Sequence, residues 1–186
     1  MKILIIGATG AIGKIVTPAL AQKHEVITAG RNSGDIQVDI SSADSIKAMF
    51  NLVKNIDACV CVAGDSHTGD LATLTEENLN LGIKNKLIGQ ANLVLIGQNY
   101  LNDNGSFTLT SGKMGDKPIK NAAGKAIVNG GINSFMMAAS LEMPRGLRIN
   151  VVSPSKISDI PVNDLIDGYL KSIENGTNGE IIKINY

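Results

Sequence analysis

Short runs of Ile, Val and Leu recur along the chain, and between them lie longer stretches whose apolar residues return at helical spacing. Buried parallel strands read as near-continuous apolar runs, while the helices that cross between them show a period near 3.6, so this alternation predicts βαβ units. Strands are predicted at Lys2 to Ile6, Glu25 to Gly30, Ile36 to Val38, Ala58 to Val62, Ser106 to Thr110, Arg148 to Val152 and Ile181 to Asn185. Helices are predicted at Ala11 to Gln22, Ser42 to Asn51, Thr75 to Asn99, Asn121 to Glu142 and Val162 to Glu174. The pattern is that of an α/β chain: one doubly wound parallel sheet of about seven strands, with helices on both faces. Ser42 followed by Asp44 suits a helix start, since a short polar side chain and an acid answer the exposed N–H groups and the dipole. The Gly/Asn turns at Asn102 to Gly105 and Asn175 to Gly179 read as simple connectors. No repeat, low-complexity tract or linker interrupts the pattern, and residues 1–186 read as a single domain too small for a separate substrate domain.

The first apolar run breaks into glycines three apart, in Gly7-Ala-Thr-Gly10-Ala-Ile-Gly13. Such a spacing turns a buried strand sharply into a helix. Gly7 allows the tight turn, Gly10 lets the backbone approach a pyrophosphate, and Gly13 lets the helix pack close to the strand. The helix start then offers unpaired N–H donors to an anion. In a doubly wound sheet the ligand crevice lies outside the strand C-termini where the strand order reverses. That crevice would collect Gly7 to Gly13, Gly30 and Arg31, Ala63 and Gly64, Thr110 and Ser111, and Pro154 and Ser155.

Composition narrows the partners. Seventeen basic and seventeen acidic residues balance, no Lys/Arg cluster follows a helix face, and aromatic content is 3% without Trp, which argues against nucleic acid. The apolar stretches end well short of a membrane span, and the beginning of the chain lacks a signal-peptide pattern, so a cytoplasmic protein is expected. Cys59 and Cys61 stand two apart on a strand, point to one face and read as small core residues without further metal ligands nearby.

An NAD site usually places an acid at the end of the second strand, about 20 residues beyond the glycines, to accept from the ribose 2′-OH. Here the strand ends in Gly30-Arg31-Asn32-Ser33. Arg31 is a planar cation suited to a 2′-phosphate, with Asn32 and Ser33 as neutral donors, so NADP(H) is expected in preference to NAD(H). A solvated loop arginine is the alternative.

Taken in order, these landmarks resemble the short-chain dehydrogenase/reductase family over nearly the whole chain. Gly7, Ala8, Thr9, Gly10 and Gly13, with Ala11 and Ile12 between, look like its glycine motif. Val38-Asp39-Ile40 resembles its adenine-contacting segment, and Val62-Ala63-Gly64 the end of its Asn-Asn-Ala-Gly segment. Thr110-Ser111 resembles its paired hydroxyls, and Arg148 to Pro154 its sixth strand. The resemblance implies a Rossmann-like fold and hydride transfer between nicotinamide and a small carbonyl or alcohol. It also implies a Tyr acid/base, a Lys four residues later, a Ser and an Asn. Ser111 matches the serine, but the tyrosine place falls on Lys125, the lysine place on Asn129 and the asparagine place on Lys86.

Two readings follow. In one, Lys125 is the acid/base, its ammonium pushed toward neutrality by Lys86, Lys113 and partial burial, while Ser111 polarises the carbonyl. In the other, the chain is a catalytically silent NADP(H) binder that signals redox state or stabilises a partner. Lys125 also reads as a solvated helix lysine, and Ser111 as a strand-end cap. His67, after Gly64, reads as a polar loop residue or an alternative proton donor, and His24 falls at the opposite end of the sheet. The small residues of Asn121 to Glu142 suit close helix packing, either on the sheet or across a homodimer or homotetramer of the family's kind. Met136, Met137 and Met143 read as interface or core fillers.

Overall fold

The computed structural model describes all residues 1–186. Seven parallel strands, β1 (Lys2–Ile6), β2 (Glu25–Gly30), β3 (Ile36–Gln37), β4 (Ile56–Cys61), β5 (Leu101–Thr110), β6 (Arg148–Pro154) and β7 (Ile181–Ile184), form one sheet in the order β3-β2-β1-β4-β5-β6-β7. Helices α1 (Gly13–Ala21), α2 (Ala43–Leu52), α3 (Glu76–Gly82), α4 (Gly89–Gly97), α5 (Ala123–Ala139) and α6 (Val162–Glu174) cover both faces. Strand order reverses between β1 and β4, which opens a crevice above their C-terminal ends.

Side-chain alternation splits the core into two layers. Leu4 and Ile6 of β1 join Cys59, Cys61, Phe107 and Leu109 beneath α2, α4 and α5. Ile3 and Ile5 join Val60, Val152 and Tyr169 beneath α1 and α6. Both cysteines are free and buried on the same face, as their spacing predicts. Met136 is core, whereas Met137 is exposed. Ser42 caps α2, its hydroxyl accepting from the Ser45 N–H at 3.3 Å.

Two expectations are corrected. The long helix expected from Thr75 to Asn99 is interrupted by a π-helical turn at Ile83–Ile88, which separates α3 from α4. Wide turns of this kind insert a residue into an α-helix and recur at functional sites. The connector expected at Asn102 to Gly105 instead lies inside β5, which starts at Leu101 opposite Ile56 and shifts register before Ser106 pairs with Ala58. Asn104 takes the left-handed conformation at φ 61°, so the strand carries its irregularity without leaving the sheet.

The glycine corner is sterically fixed. Gly7 has φ 94°, and a Cβ on Gly13 would stand 2.3 Å from the Gly7 carbonyl oxygen. Gly13→Ala is expected to cost about 1–3 kcal/mol, lowering Tm by about 2–12 °C in a chain of this length. Scanning calorimetry checks this, and an unchanged Tm would contradict the close packing.

Candidate active site

At the crevice floor, α1 begins without a capping side chain, and the N–H groups of Ala11, Ile12 and Gly13 find no acceptor within the chain. A Cβ on Gly10 would meet only the Gly7 carbonyl oxygen, at 3.3 Å. Open space over bare backbone donors at a helix start is the form of a pyrophosphate cradle. Across the crevice, Gly7 donates to the Ala29 carbonyl at 2.8 Å, and a Cβ on Gly7 would come 2.9 Å from Ala63 Cβ. The loop after β1 is thereby held between β2 and β4.

The loop after β2 is folded back by Asp35, whose carboxylate accepts from the Thr28 N–H and hydroxyl at 2.9 and 2.8 Å. Arg31, Asn32 and Ser33 are left exposed at its tip. Ser33 Oγ lies 2.9 Å from Thr9 Oγ1, which joins this loop to the glycine loop. Arg31 donates to Asp39 Oδ1 at 3.3 Å. The Ser41 hydroxyl and N–H, and then Arg31, hold the Asp39 carboxyl below its ordinary range, while Ile40 is buried against Gly89. The resulting wall carries an exposed guanidinium, two hydroxyls and an amide. These residues fit an adenosine bearing a 2′-phosphate.

At the ends of β4 and β5 the site closes around a buried ammonium. Lys86, on the π turn, is 9% exposed and donates from Nζ to Asn129 Oδ1 at 2.9 Å and to the Ser111 carbonyl at 3.2 Å. Burial, with a contribution from the Lys125 charge, lowers its pKa to about 8, against the Cys61 and Asp65 charges that raise it. The titrating lysine expected at Lys125 is thus found at Lys86. Gly64, at φ 108°, is required beside it, because a Cβ there would lie 2.7 Å from Lys86 Cγ.

Ser111 is buried, and its Oγ has no hydrogen-bond partner. Its neighbour Thr110 faces the other layer, bonded to the Cys61 carbonyl and Tyr169 OH at 2.7 Å each. The hydroxyl pair seen in the sequence is therefore split, and only Ser111 remains on the crevice side. Lys125 is half-buried near the start of α5. Lys113 does not join it: its ammonium sits over the Tyr186 ring, 5.7 Å from the centroid. The His67 carbonyl packs on the first turn of α5 at Gly124, and its ring folds over Gly69 without a hydrogen bond. His24, at the other end of the sheet, bonds Glu174 at 2.9 Å.

Sequence reasoning missed Gln90. Fully buried one turn beyond Lys86, it donates to the Thr110 carbonyl at 3.0 Å and the Ala63 carbonyl at 3.3 Å, and accepts from the Thr110 N–H at 2.9 Å. It pins the ends of β4 and β5 to α4. Its place four residues after Lys86 was the available signal.

Residues 7–178 match a family described as enoyl-(acyl carrier protein) reductase. The solved structure of lin1944 from Listeria innocua is similar at 43% identity and a TM-score of 0.95, with each chain fully covered (100%). A small-chain dehydrogenase is similar at 25% identity and a TM-score of 0.87, covering 100% of this chain and 96% of its own. A small-chain dehydrogenase in complex with NADPH has the same fold at 23% identity and a TM-score of 0.88, covering 98% and 95%. A comparison with curated protein sequences finds no match. The chain belongs to the short-chain dehydrogenase/reductase family, and the family's chemistry makes it an oxidoreductase. Against the family pattern, the residue types at the asparagine and lysine places are exchanged: Lys86 stands at the first, Asn129 at the second, and the two side chains bond each other.

Gln90→Leu would leave three buried backbone groups unpaired. The expected cost is at least about 1–3 kcal/mol, seen in denaturant unfolding, and a wild-type midpoint would show that the strand ends do not depend on this amide.

Proposed function

We propose that the chain is an NADP(H)-dependent reductase of a small carbonyl compound, or a dehydrogenase of the corresponding alcohol. The observation that carries this reading is the Lys86 ammonium, held by two neutral acceptors beside a buried Ser111 Oγ that has no partner. When bound, the dinucleotide supplies the hydride in one direction and accepts it in the other. The N–H groups of Ala11 to Gly13 hold its pyrophosphate, and Thr9, Arg31, Asn32 and Ser33 hold its 2′-phosphate. Asp39, Ile40, Ala63, Gly64 and Pro154 border the adenine and nicotinamide ends.

The proton chemistry belongs to the chain's own residues. Ser111 Oγ donates to the carbonyl oxygen and orients it. A lysine ammonium has three donors, and Asn129 Oδ1 and the Ser111 carbonyl occupy two of them in both the charged and the neutral form. The third position carries the exchangeable proton. As negative charge develops on the substrate oxygen, Lys86 protonates it; in the oxidative direction the neutral amine takes the proton back. Lys125, nearer the crevice mouth, is the second cation, and its charge favours the neutral form of Lys86.

A homodimer fits the outer face of α4 and α5. Leu95, Met137 and Leu141 are exposed there, beside a groove lined by Val94, Phe135, Ala138 and Met143. Contiguous exposed apolar residues of this kind favour a second copy of the chain.

NADPH is expected to bind more tightly than NADH in calorimetric titration. Arg31→Ala should weaken NADPH about 10–100-fold, the loss of one charge-assisted contact, while leaving NADH nearly unchanged. An equal effect on both nucleotides would remove Arg31 from the 2′-phosphate site. Binding without turnover of any aldehyde or ketone would overturn the enzymatic reading.

Lys86 must be protonated for reduction and neutral for oxidation. The reductive rate is therefore expected to be level below pH about 8 and to fall above it, and the oxidative rate to rise through the same pH. Lys125→Met removes a charge that lowers the Lys86 pKa, so it should move this midpoint upward. Lys86→Met should abolish the midpoint and most of the turnover. If Lys86→Met keeps the profile and Lys125→Met loses it, Lys125 is the acid and the assignment is reversed.

A further inference from the structure

At the C-terminal ends of β6 and β7, three ammonium groups converge on one aromatic ring. Lys183, Lys117 and Lys113 place Nζ at 5.0, 5.6 and 5.7 Å from the Tyr186 centroid. Only one carboxylate, that of Asp116, answers them, in an ion pair with Lys183. Lys113 and Lys117 have no acidic partner, so the cluster keeps an excess of two positive charges. Like charges gathered this closely repel, and a ring face offsets only part of that cost.

The cluster adjoins the reacting end of the crevice. Thr110 of β5 pairs with Val152 of β6, and the Ser111 N–H donates to the Val152 carbonyl at 3.0 Å, so Ser111 and Ser153 are the next neighbours across the two strands. Cross-strand neighbours share a face and lie about 5 Å apart. Ser153 is fully buried, and its Oγ bonds Tyr186 OH. Tyr186 and its lysines therefore stand beside the partnerless Ser111 Oγ, on the same face of the sheet. Lys113 is attached directly, two residues after Ser111.

Tyr186 is itself no proton source at neutral pH. Burial, and beside it Asp116, push its phenol up to about 12 despite the bond to Ser153. Its hydroxyl is fixed as a strut between Ser153 and Asp116, and its ring as a floor for the ammonium groups.

We propose that Lys113 and Lys117, seated over Tyr186, form a subsite for the negative group of the substrate, so that the protein acts on carbonyl compounds bearing a carboxylate or phosphate about two strand spacings, ~10 Å, from the carbonyl at Ser111. This rests on the reductase reading above. The subsite supplies the charge partner that the cluster lacks within the chain, and places it on the side of Ser111 away from the glycine loop.

The test compares 4-formylbenzoate with its methyl ester, and 4-formylphenyl phosphate with 4-methoxybenzaldehyde, as substrates with NADPH. The native protein should prefer each anion by at least tenfold in kcat/KM, with the advantage shrinking as salt is raised. In the Lys113→Gln/Lys117→Gln double variant the anion-to-neutral ratio should fall to near one. Whichever anion shows the larger ratio identifies the preferred group. Equal rates for anion and neutral partner in the native protein, or a ratio that survives in the double variant, would overturn the proposal. A second measurement is independent of turnover: calorimetric binding of 4-(hydroxymethyl)benzoate and of its methyl ester to the protein without nucleotide. Charge-dependent binding that the double variant loses, in a protein that turns nothing over, would sink the reductase reading and leave the subsite standing. Equal binding of acid and ester would sink the subsite alone.

Discussion

The burial of the Lys86 ammonium is the constraint around which the site is built. An ion taken out of water costs several kcal/mol unless polar groups replace its hydration. Here the replacement comes from three separate parts of the chain. The Ser111 carbonyl ends β5, Asn129 Oδ1 comes from α5, and Gly64, having no Cβ, clears a path for the lysine stem beyond β4. None of these could be altered alone. A side chain at residue 64 would collide with the stem, and an apolar residue at 129 would leave the ammonium with one neutral acceptor. The cost of burial is also what gives the group its chemistry, since a lysine drawn down to about 8 exchanges protons near neutrality.

Seen this way, the departure from the family pattern is a rearrangement rather than a loss. Asparagine and lysine have changed places across the gap between the π turn and α5, keeping a cation and an amide in contact while the cation enters from the opposite wall. The tyrosine is not compensated in the same manner. Lys125 brings charge to its position but no hydroxyl, and the burden of polarising a carbonyl falls on Ser111.

The fold was legible because its signals are local. Apolar runs marked all seven strands to within a few residues, and the spacing of Gly7, Gly10 and Gly13 gave the corner its steric logic. Ser42 showed its capping role for the same reason, as the hydroxyl reaches only three residues ahead. The site was legible only in part. That Lys86 and Asn129 touch depends on how two helices far apart in the chain meet over the sheet, and no periodicity carries that information. Thr110 was misplaced because adjacent strand residues face opposite layers, and the dipeptide alone does not say which of the two meets the crevice. Tyr186 and Gln90 were passed over because their partners lie 33 and 20 residues away.

The π turn at Ile83–Ile88 bears on how this segment tolerates change. One residue more than α-helical winding needs has been absorbed there, and each helical residue accounts for about 100° of rotation. Deleting a single codon in this stretch would relax the wide turn to ordinary winding and swivel everything after it by that angle, swinging Leu93 and Val94 out of the core and Gln90 off the strand ends. Removing a whole turn would preserve the facing but shorten the span to β5. Length in this helix is therefore locked to orientation, and drift among relatives here is confined to substitutions rather than indels.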